Sequence, residues 1–505
     1  MCSRNFRAKY QNMYIMLSSF ALIVKMITLF WIYARYKLSY WKRRGVESLT
    51  GDLIFGNFKN AVLFRSAPGW HIGQLHKAAR TDAPFIGFYI FHKPCLLLRD
   101  PDIIKQFMIR DFDNFCDRHF AGSNQKDSMG MKNLFGLKSP ASKYLRTKIT
   151  PTLTRSKLKK MFPLMTEIGE PMMDYLKNHP EDRDGVKLVD AQELSYKYTT
   201  DLIASIALGT KMDTFHYPNE EFPTKVHQIF HGFRRMVALV MLFFMPELMK
   251  LIGTRILSNS SFVKKVFWNA MENREKTGEK RGDFIDSLLR LKHGKQNPNY
   301  KFEGENLLYQ TGTFFAGFET SSLCMSFTLM ELANHSKCQK LARQDINRAI
   351  DKHGWTYEAF QDMKYLDQTI AESLRLHPPV STIDRYTRQN YKIPNTDIVI
   401  EKGTPIYISL YGLGVDSRFW DEPEIYNPDR FAESNHITDA HVPFGIGPRM
   451  CIGMKVGQLH AKIVLALLLR DYEIWQTKDN ESFLNPRSTF TAAVNGIYLH
   501  FKKIV

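Results

Sequence analysis

The chain predicts a mainly α-helical protein with small β-sheets, an α+β architecture, and three observations carry that prediction. Apolar residues recur at helical spacing over long stretches: Val456, Leu459, Ile463 and Leu467 fall on one stripe of 453–470, an apolar run fills 307–330, and most of 202–269 follows the same period. Strand-like composition is confined to short pieces at 86–99, 391–404 and 490–499. With 505 residues, 44% of them hydrophobic, the chain can bury a large core, and neither an internal repeat nor a low-complexity stretch divides it.

Residues 13–33 form a 21-residue apolar run, long enough to cross a bilayer. Lys25 interrupts it, at a cost of about 2.5–3.5 kcal/mol near a helix centre unless the side chain snorkels. No small-residue cleavage site follows; Arg35, Lys37, Lys42, Arg43 and Arg44 come next, which reads as the flank of an uncleaved anchor, with a buried soluble helix as the other reading. Only Arg4, Arg7 and Lys9 precede the run, so the positive-inside bias places the bulk of the chain in the cytosol.

Residues 86–99 suit a small sheet with a turn near Lys93-Pro94. The segment Ser142 to Arg146 is followed by Thr150-Pro151 and a basic run, Arg155, Lys157, Lys159 and Lys160. Residues 236–246 are too short to span a membrane; their flanks, His231, Arg234, Arg235 and Lys250, suit a bilayer-surface contact, and a core helix fits equally. Residues 272–283 read as a solvated charged connection. Within 307–330 the run breaks at Ala316-Gly317-Phe318-Glu319-Thr320-Ser321. An acid and a hydroxyl in an apolar helix are costly to bury without partners, Gly317 removes bulk where a flat molecule would approach, and Thr320 is placed to bond back to a backbone carbonyl. The short helix 365–375 ends at His377-Pro378-Pro379 and puts Glu372 and Arg375 on one side, a spacing that is most often ordinary surface pairing.

The chain is organised around Pro443 to Gly453, a glycine-rich loop that delivers Cys451 to the start of a helix. The helix N-terminus and Arg449 favour a thiolate, and Gly445, Gly447 and Gly453 let backbone amides close around the sulfur. Such a cysteine is either a buried turn residue or a metal ligand. The other cysteines, Cys2, Cys95, Cys116, Cys324 and Cys338, show no paired spacing, and His335-x-x-Cys338 lacks a second pair, so neither a disulfide framework nor a zinc site is expected. A net charge of +18 spread along the chain without a nucleic-acid motif argues against a nucleic-acid partner.

Phe444, Gly447, Arg449, Cys451 and Gly453 together resemble the haem-binding loop of the cytochrome P-450 family. Three further stretches resemble that family in the expected order: Ala316 to Thr320, Glu372 to Arg375, and Asn427 to Phe431 with Arg430. The resemblance implies a P-450 fold with haem b between the long central helix and the cysteine loop, an anchor over 1–34 and one catalytic domain over 35–505. It implies Cys451 as axial iron ligand, whose electron donation favours O–O cleavage. It implies Glu319 and Thr320 as the acid–alcohol pair that delivers protons to dioxygen during its activation, and Glu372, Arg375 and Arg430 as a structural triad. Arg146, Arg385 and Arg449 would hold haem propionates, with Phe444, Gly317 and Gly453 also against the cofactor. Ser142 stands where the family pattern has tryptophan, so haem retention is expected to lean on those three arginines. The stretches Tyr40 to Val46 and Thr150 to Thr154 look most like insect-type microsomal members. Those members usually carry a proline-rich hinge after the anchor, and this chain has no proline before Pro68.

The implied function is a monooxygenase that inserts one oxygen atom of O2 into a lipophilic small molecule: a xenobiotic, plant toxin, steroid, terpenoid or fatty acid. No flavin- or nicotinamide-binding motif occurs, so electrons would come from NADPH through a separate reductase, with cytochrome b5 as a further partner, at the endoplasmic reticulum membrane. A basic face with Arg146, Lys148, Lys157, Lys159, Lys160 and Lys455 suits an acidic reductase surface. Pocket candidates are Phe115, Phe314, Phe315, Phe318, Val380, Ile383 and Val494, each equally able to be core packing. The alternatives are an O2-independent haem-thiolate isomerase or dehydratase, and a non-catalytic haem-binding protein.

Overall fold

A computed structural model describes residues 2–123, 127–230, 232–253, 260–435, 437–478 and 483–504; His231 of the basic flank lies outside them. The central element is the helix Glu305–Asn334, 30 residues long and buried along most of its length. Among the helices packed against it are Ala191–Leu208, Lys364–Leu376 and Met454–Asp471. Leu323, Met325 and Leu329 of the central helix share one core with Leu194, Tyr198 and Leu202 on one side and with Leu459, Ile463 and Leu465 on the other. The stripe of apolar residues in 454–471 is therefore a true core face.

The strands are β1 (Phe85–Ile90), β2 (Lys93–Leu98), β3 (Val186–Asp190), β4 (Thr382–Tyr386), β5 (Tyr391–Lys392), β6 (Val399–Ile400), β7 (Pro405–Ser409), β8 (Tyr472–Trp475) and β9 (Tyr498–Lys503). They form a four-stranded sheet in the order β1-β2-β7-β4, a three-stranded sheet β3-β9-β8 and the two-stranded β5-β6. The predicted strand pair is β1 and β2, with its turn at Phe91-His92, just before the expected Lys93-Pro94. The strand-like C-terminal piece, 490–499, which suits a last hairpin by its sequence, is instead a bridge between Leu484 and Ala493 followed by β9, which pairs with both β3 and β8.

The first helix runs over Cys2–Leu38, past the expected end of the anchor at residue 34. Its apolar stretch from Met13 is long and apolar enough to cross a membrane and is not covered by the rest of the chain. Phe30 and Tyr33 meet His92 edge-on at centroid distances of 5.8 and 5.4 Å. Beyond it, Trp41 is fully buried, its backbone N–H donates to Tyr89 Oη at 3.1 Å, and its ring fills the space above Gly87, where a Cβ would stand 2.2 Å from it. The junction lacking a proline hinge is held by this socket.

One reading left open is decided and one expectation is corrected. The 236–246 segment lies in the helix Phe233–Phe244, whose residues Ala238 to Phe244 are all buried against Ile86, Phe88 and Tyr407, so the core reading holds for it. The 272–283 connection is not simply solvated. Its first half continues the helix Ser260–Thr277, and Arg274 is buried in ion pairs with Asp283 at 2.9 Å and Asp286 at 2.5 Å.

Candidate functional site

Positive φ at Gly445 (+73°) and Gly447 (+77°) turns the cysteine loop back on itself, and a Cβ on Gly447 would stand 2.2 Å from the Met108 carbonyl. The Cys451 N–H donates to the Phe444 carbonyl at 2.8 Å, closing the loop. Gly453 is the N-cap of Met454–Asp471, and the backbone N–H groups of Gly453 and Met454 donate to the cysteine sulfur. Burial pushes the Cys451 thiol up, while those amides and the guanidiniums of Arg118 and Arg146 act to lower it. The cysteine still has accessible surface, as do Ala316 and Gly317 in the middle of an otherwise buried helix. A Cβ on Gly457 would lie 3.7 Å from Ser321 Oγ, so the two helices meet there. One turn back they part, and a Cβ on Gly317 would meet nothing within 4 Å. The gap thus bounded has Cys451 on one side and Gly317 on the other.

On the central helix, Thr320 Oγ1 donates to the Ala316 carbonyl at 3.0 Å, the back-bond expected of a hydroxyl in an apolar helix. Glu319 does not stand alone beside it. Arg235 Nη2 donates to Glu319 Oε2 at 2.7 Å, with both side chains 12% exposed.

Four arginines gather at the same gap. Arg449 Nη1 donates to Ser142 Oγ at 2.5 Å and Nη2 to the Leu137 carbonyl at 2.9 Å. Arg385, placed by the β4–β7 pairing opposite Ile406, donates only to the Asp384 carbonyl, at 2.7 Å. Among the described residues, the Nε atoms of Arg385 and Arg118 are buried without a hydrogen-bond partner. Burial pushes Arg118 down to about 9, with the Arg449 and Arg385 guanidiniums adding to the shift; burial pushes Arg385 down to about 10 against the pull of Asp384. Arg146, on the helix Ala141–Ile149, is half-buried and also lowered by burial, against the pull of Cys451.

Away from the gap, Arg375 Nε and Nη2 grip both Glu372 oxygens at 2.6 Å, with both side chains fully buried. Its remaining donors reach the carbonyls of Gly414 (2.6 Å), Pro423 (2.5 Å) and Ile425 (3.1 Å). Arg430 adds a looser ion contact to Glu372 at 3.4 Å and donates to the Glu422 carbonyl at 2.9 Å. Glu372, Arg375 and Arg430 thus lie together, with Arg375 also reaching the carbonyls of the 414–425 stretch.

The family model for cytochrome P450 matches residues 53–501. The chain belongs to the cytochrome P450 family. It is similar to cytochrome P450 6k1 of Blattella germanica, 36% identical over 95% of this chain and 96% of the relative. It is likewise similar to probable cytochrome P450 6g2 of Drosophila melanogaster, 33% identical over 95% and 97%. Cytochrome P450 6j1 of Blattella germanica is 31% identical over 92% and 93%. The family makes this protein a haem-containing monooxygenase that uses O2, with the mainly helical, small-sheet fold described above.

The residues present in this P450 fit a haem. An accessible sulfur and an unfilled glycine face each other across the gap, and the buried guanidiniums with unpartnered Nε donors suit a flat molecule that carries two carboxylates. Among the described residues no group of three or more His, Cys, Asp or Glu side chains is placed to hold a bare metal ion.

The pocket candidates divide. Phe115 is fully buried, with ring centroids 4.4 Å from Phe107 and 5.0 Å from Tyr391, and is core packing instead of cavity wall. Phe314 packs on Phe284 at 4.3 Å and Phe318 on Tyr196 at 5.4 Å, and Phe315 joins the same apolar cluster. Ile383 lies beside the cysteine loop, Cδ1 being 3.7 Å from a Cβ built on Gly445. Val380 is half-buried and Val494 is 48% exposed on the C-terminal segment. Of the basic face, Lys148, Lys159, Lys160 and Lys455 are exposed, while Arg146 and Lys157 are half-buried.

Sequence reasoning missed Arg118 and read Arg235 only as a flanking charge. Arg118 has a faint signal, an Asp-Arg pair after Phe115-Cys116, with no period or spacing to lift it out. Ser142 also has more to do than expected: its hydroxyl holds Arg449.

Proposed function

We propose that this P450 is a membrane-anchored, reductase-dependent monooxygenase of lipophilic small molecules such as xenobiotics, plant toxins, steroids, terpenoids or fatty acids. The observation that carries the reading is the gap between Cys451 and Gly317, rimmed by buried arginines that lack anions of their own. Cys451 would hold the haem iron through its sulfur, whose negative charge the amides of Gly453 and Met454 and the guanidiniums of Arg118 and Arg146 favour. Haem bound there supplies the reductive activation of dioxygen. Arg118, Arg146, Arg385 and Arg449 would hold its carboxylates, and Phe444, Gly317 and Gly453 would shape the surfaces around it. Glu319 and Thr320 move protons: Thr320 Oγ1 holds its proton toward Ala316 O, and Glu319 links it to polar groups above the helix. Phe315 and Phe318 help keep the surroundings dry.

Residues 1–34 form the anchor and 35–505 the cytosolic catalytic domain, supported by the uncovered apolar helix and the basic residues Arg35 to Arg44 behind it. The endoplasmic reticulum is the membrane proposed, and the exposed lysines 148, 159, 160 and 455 are the docking face for the reductase, with cytochrome b5 as a second donor.

The test is a reduced, carbon-monoxide difference spectrum. The parent should give the red-shifted thiolate Soret band, and Cys451→Ala should lose it; a parent without the band overturns the reading. Turnover with reconstituted reductase should require NADPH and yield oxygenated product, whereas product formed without either would favour the isomerase or dehydratase class. Thr320→Ala should keep the band and divert electrons to peroxide.

A further inference from the structure

Val380 and Phe490 sit on separate segments, 378–382 and 488–494, and the start of the helix Pro68–Lys77 ties those segments together. The Gly69 carbonyl accepts from Thr382 Oγ1 at 2.9 Å, and a Cβ on Gly69 would stand 2.2 Å from Ser381 Oγ. That approach, open only to glycine, seats the helix on the first segment. Next along, Trp70 Nε1 donates to Thr491 Oγ1 at 3.0 Å. Thr491 is buried; its hydroxyl donates onward to the Pro378 carbonyl at 2.5 Å, and its N–H donates to the Pro379 carbonyl at 3.0 Å. The hydroxyl therefore commits its proton to one segment and a lone pair to Trp70, which fixes its orientation.

The indole is held by its ring as well as by its N–H. It stacks on Tyr411 with centroids 3.6 Å apart, and the N–H groups of Leu410 and Tyr411 return to the Ser381 carbonyl at 2.9 and 3.3 Å. What Trp70 holds in place bears on the gap. Phe490, the residue before Thr491, is half-buried between two apolar clusters and meets Phe243 edge-on at 6.4 Å. Phe243 in turn meets Phe120 at 5.0 Å and Phe135 at 6.0 Å, and the Arg118 guanidinium, one of those at the gap, lies 4.0 Å over the Phe135 ring. The Phe490 ring thus ends an apolar wall that starts at the gap.

From this we infer that Trp70 is a positioning residue for substrate choice: through Thr491 it joins the 378–382 and 488–494 segments into one wall, and so sets the width between Val380 and Phe490 that is open to a lipophilic molecule. The inference rests on the proposed binding of such a molecule beside the haem. Trp70 acts through Thr491 and not by touching the molecule bound. Removing the indole N–H frees the second segment while the first keeps its seat on Gly69, so discrimination by size is what should suffer.

The test uses the haem-loaded, full-length protein with Trp70→Phe, Thr491→Val, both together, and Thr491→Ser. The probes are imidazole and 1-phenylimidazole, which ligate haem iron and shift the Soret band, so that a dissociation constant is read for each without turnover. Trp70→Phe should keep the parental carbon-monoxide band and imidazole affinity and weaken 1-phenylimidazole about three- to tenfold, the scale of one neutral hydrogen bond. Thr491→Val should do the same, the double variant no more than either single, and Thr491→Ser should return to the parental value. Hydrogen exchange of 488–494 should rise in Trp70→Phe. A parental ratio of the two affinities in Trp70→Phe, or additive losses in the double variant, overturns the inference and leaves the haem site its role. Equal weakening of both probes overturns it as well, since that marks a general disturbance of the site. A parent without the carbon-monoxide band takes away the reading on which the inference rests.

Discussion

Two of the buried arginine sites in this protein are built on opposite terms. Arg375 is fully buried, and each of its five N–H donors meets an acceptor supplied by the chain, two of them on the Glu372 carboxylate. Arg118, Arg385 and Arg449 crowd one another at the edge of a gap, with Nε of Arg118 and of Arg385 unpartnered. The nearby acids are engaged elsewhere: Asp384 accepts the His119 N–H at 2.5 Å and Asp117 that of Ser139 at 2.8 Å. The difference teaches what each group is for. One is finished by folding; the other is left short of negative charge, an arrangement that suits a bound anionic group.

Substitutions should separate the two groups by sign. Arg375→Ala leaves the Glu372 carboxylate buried with only the looser Arg430 contact and the Asn427 N–H, a loss of about 3–5 kcal/mol, and thermal unfolding or soluble yield should show it with or without haem. Arg118→Leu and Arg385→Leu should do the reverse to the apoprotein, leaving its melting temperature equal or higher, because each removes a charge that burial already disfavours. Titration with haem should then show affinity weakened about ten- to hundredfold, the loss of a charge-assisted hydrogen bond of about 1.5–3 kcal/mol. Esterifying the haem carboxylates should erase that difference between parent and variants.

A smaller effect sits where the finished group meets the cysteine loop. His441 packs on Phe431 at 4.5 Å and on Trp420 at 6.0 Å, and burial, with Arg375 adding to it, pushes its imidazole down to about 4 from 6.5. A folded-state value below the unfolded one means that this contribution is whole above pH 6.5 and is lost as pH falls toward 4. The melting temperature should drop across that window, and His441→Phe should flatten the drop. Smallest of all, Ser142→Ala removes one hydroxyl acceptor from Arg449 and should cost about 1 kcal/mol in holoprotein stability.

Much of the site was readable because the residues that build it are close in sequence. Glycines at 445, 447 and 453 around Cys451, or an acid and a threonine inside an apolar run, keep their meaning without a structure. Glu372 and Arg375 are equally local, yet only burial distinguishes them from a surface pair. What escaped depends on long-range approach. Arg118 meets Arg385 and Arg449 across more than two hundred and fifty positions of chain, and Arg235 meets Glu319 across 84. The 272–283 segment misled because nine residues separate Arg274 from Asp283, across the end of a helix. The helices were legible from their period, while the sheets were legible only as pieces: β9 lies between β3 and β8, partners that no alternation pattern names.

The socket around Trp41 has a mechanical consequence. A continuous helix of 37 residues at about 1.5 Å per residue is a lever about 55 Å long, and turning it by about 10° at its base moves its tip by about 10 Å. The fulcrum is one indole seated on one glycine, so a methyl group added at Gly87 would reach the far end as a displacement larger than the side chain that caused it.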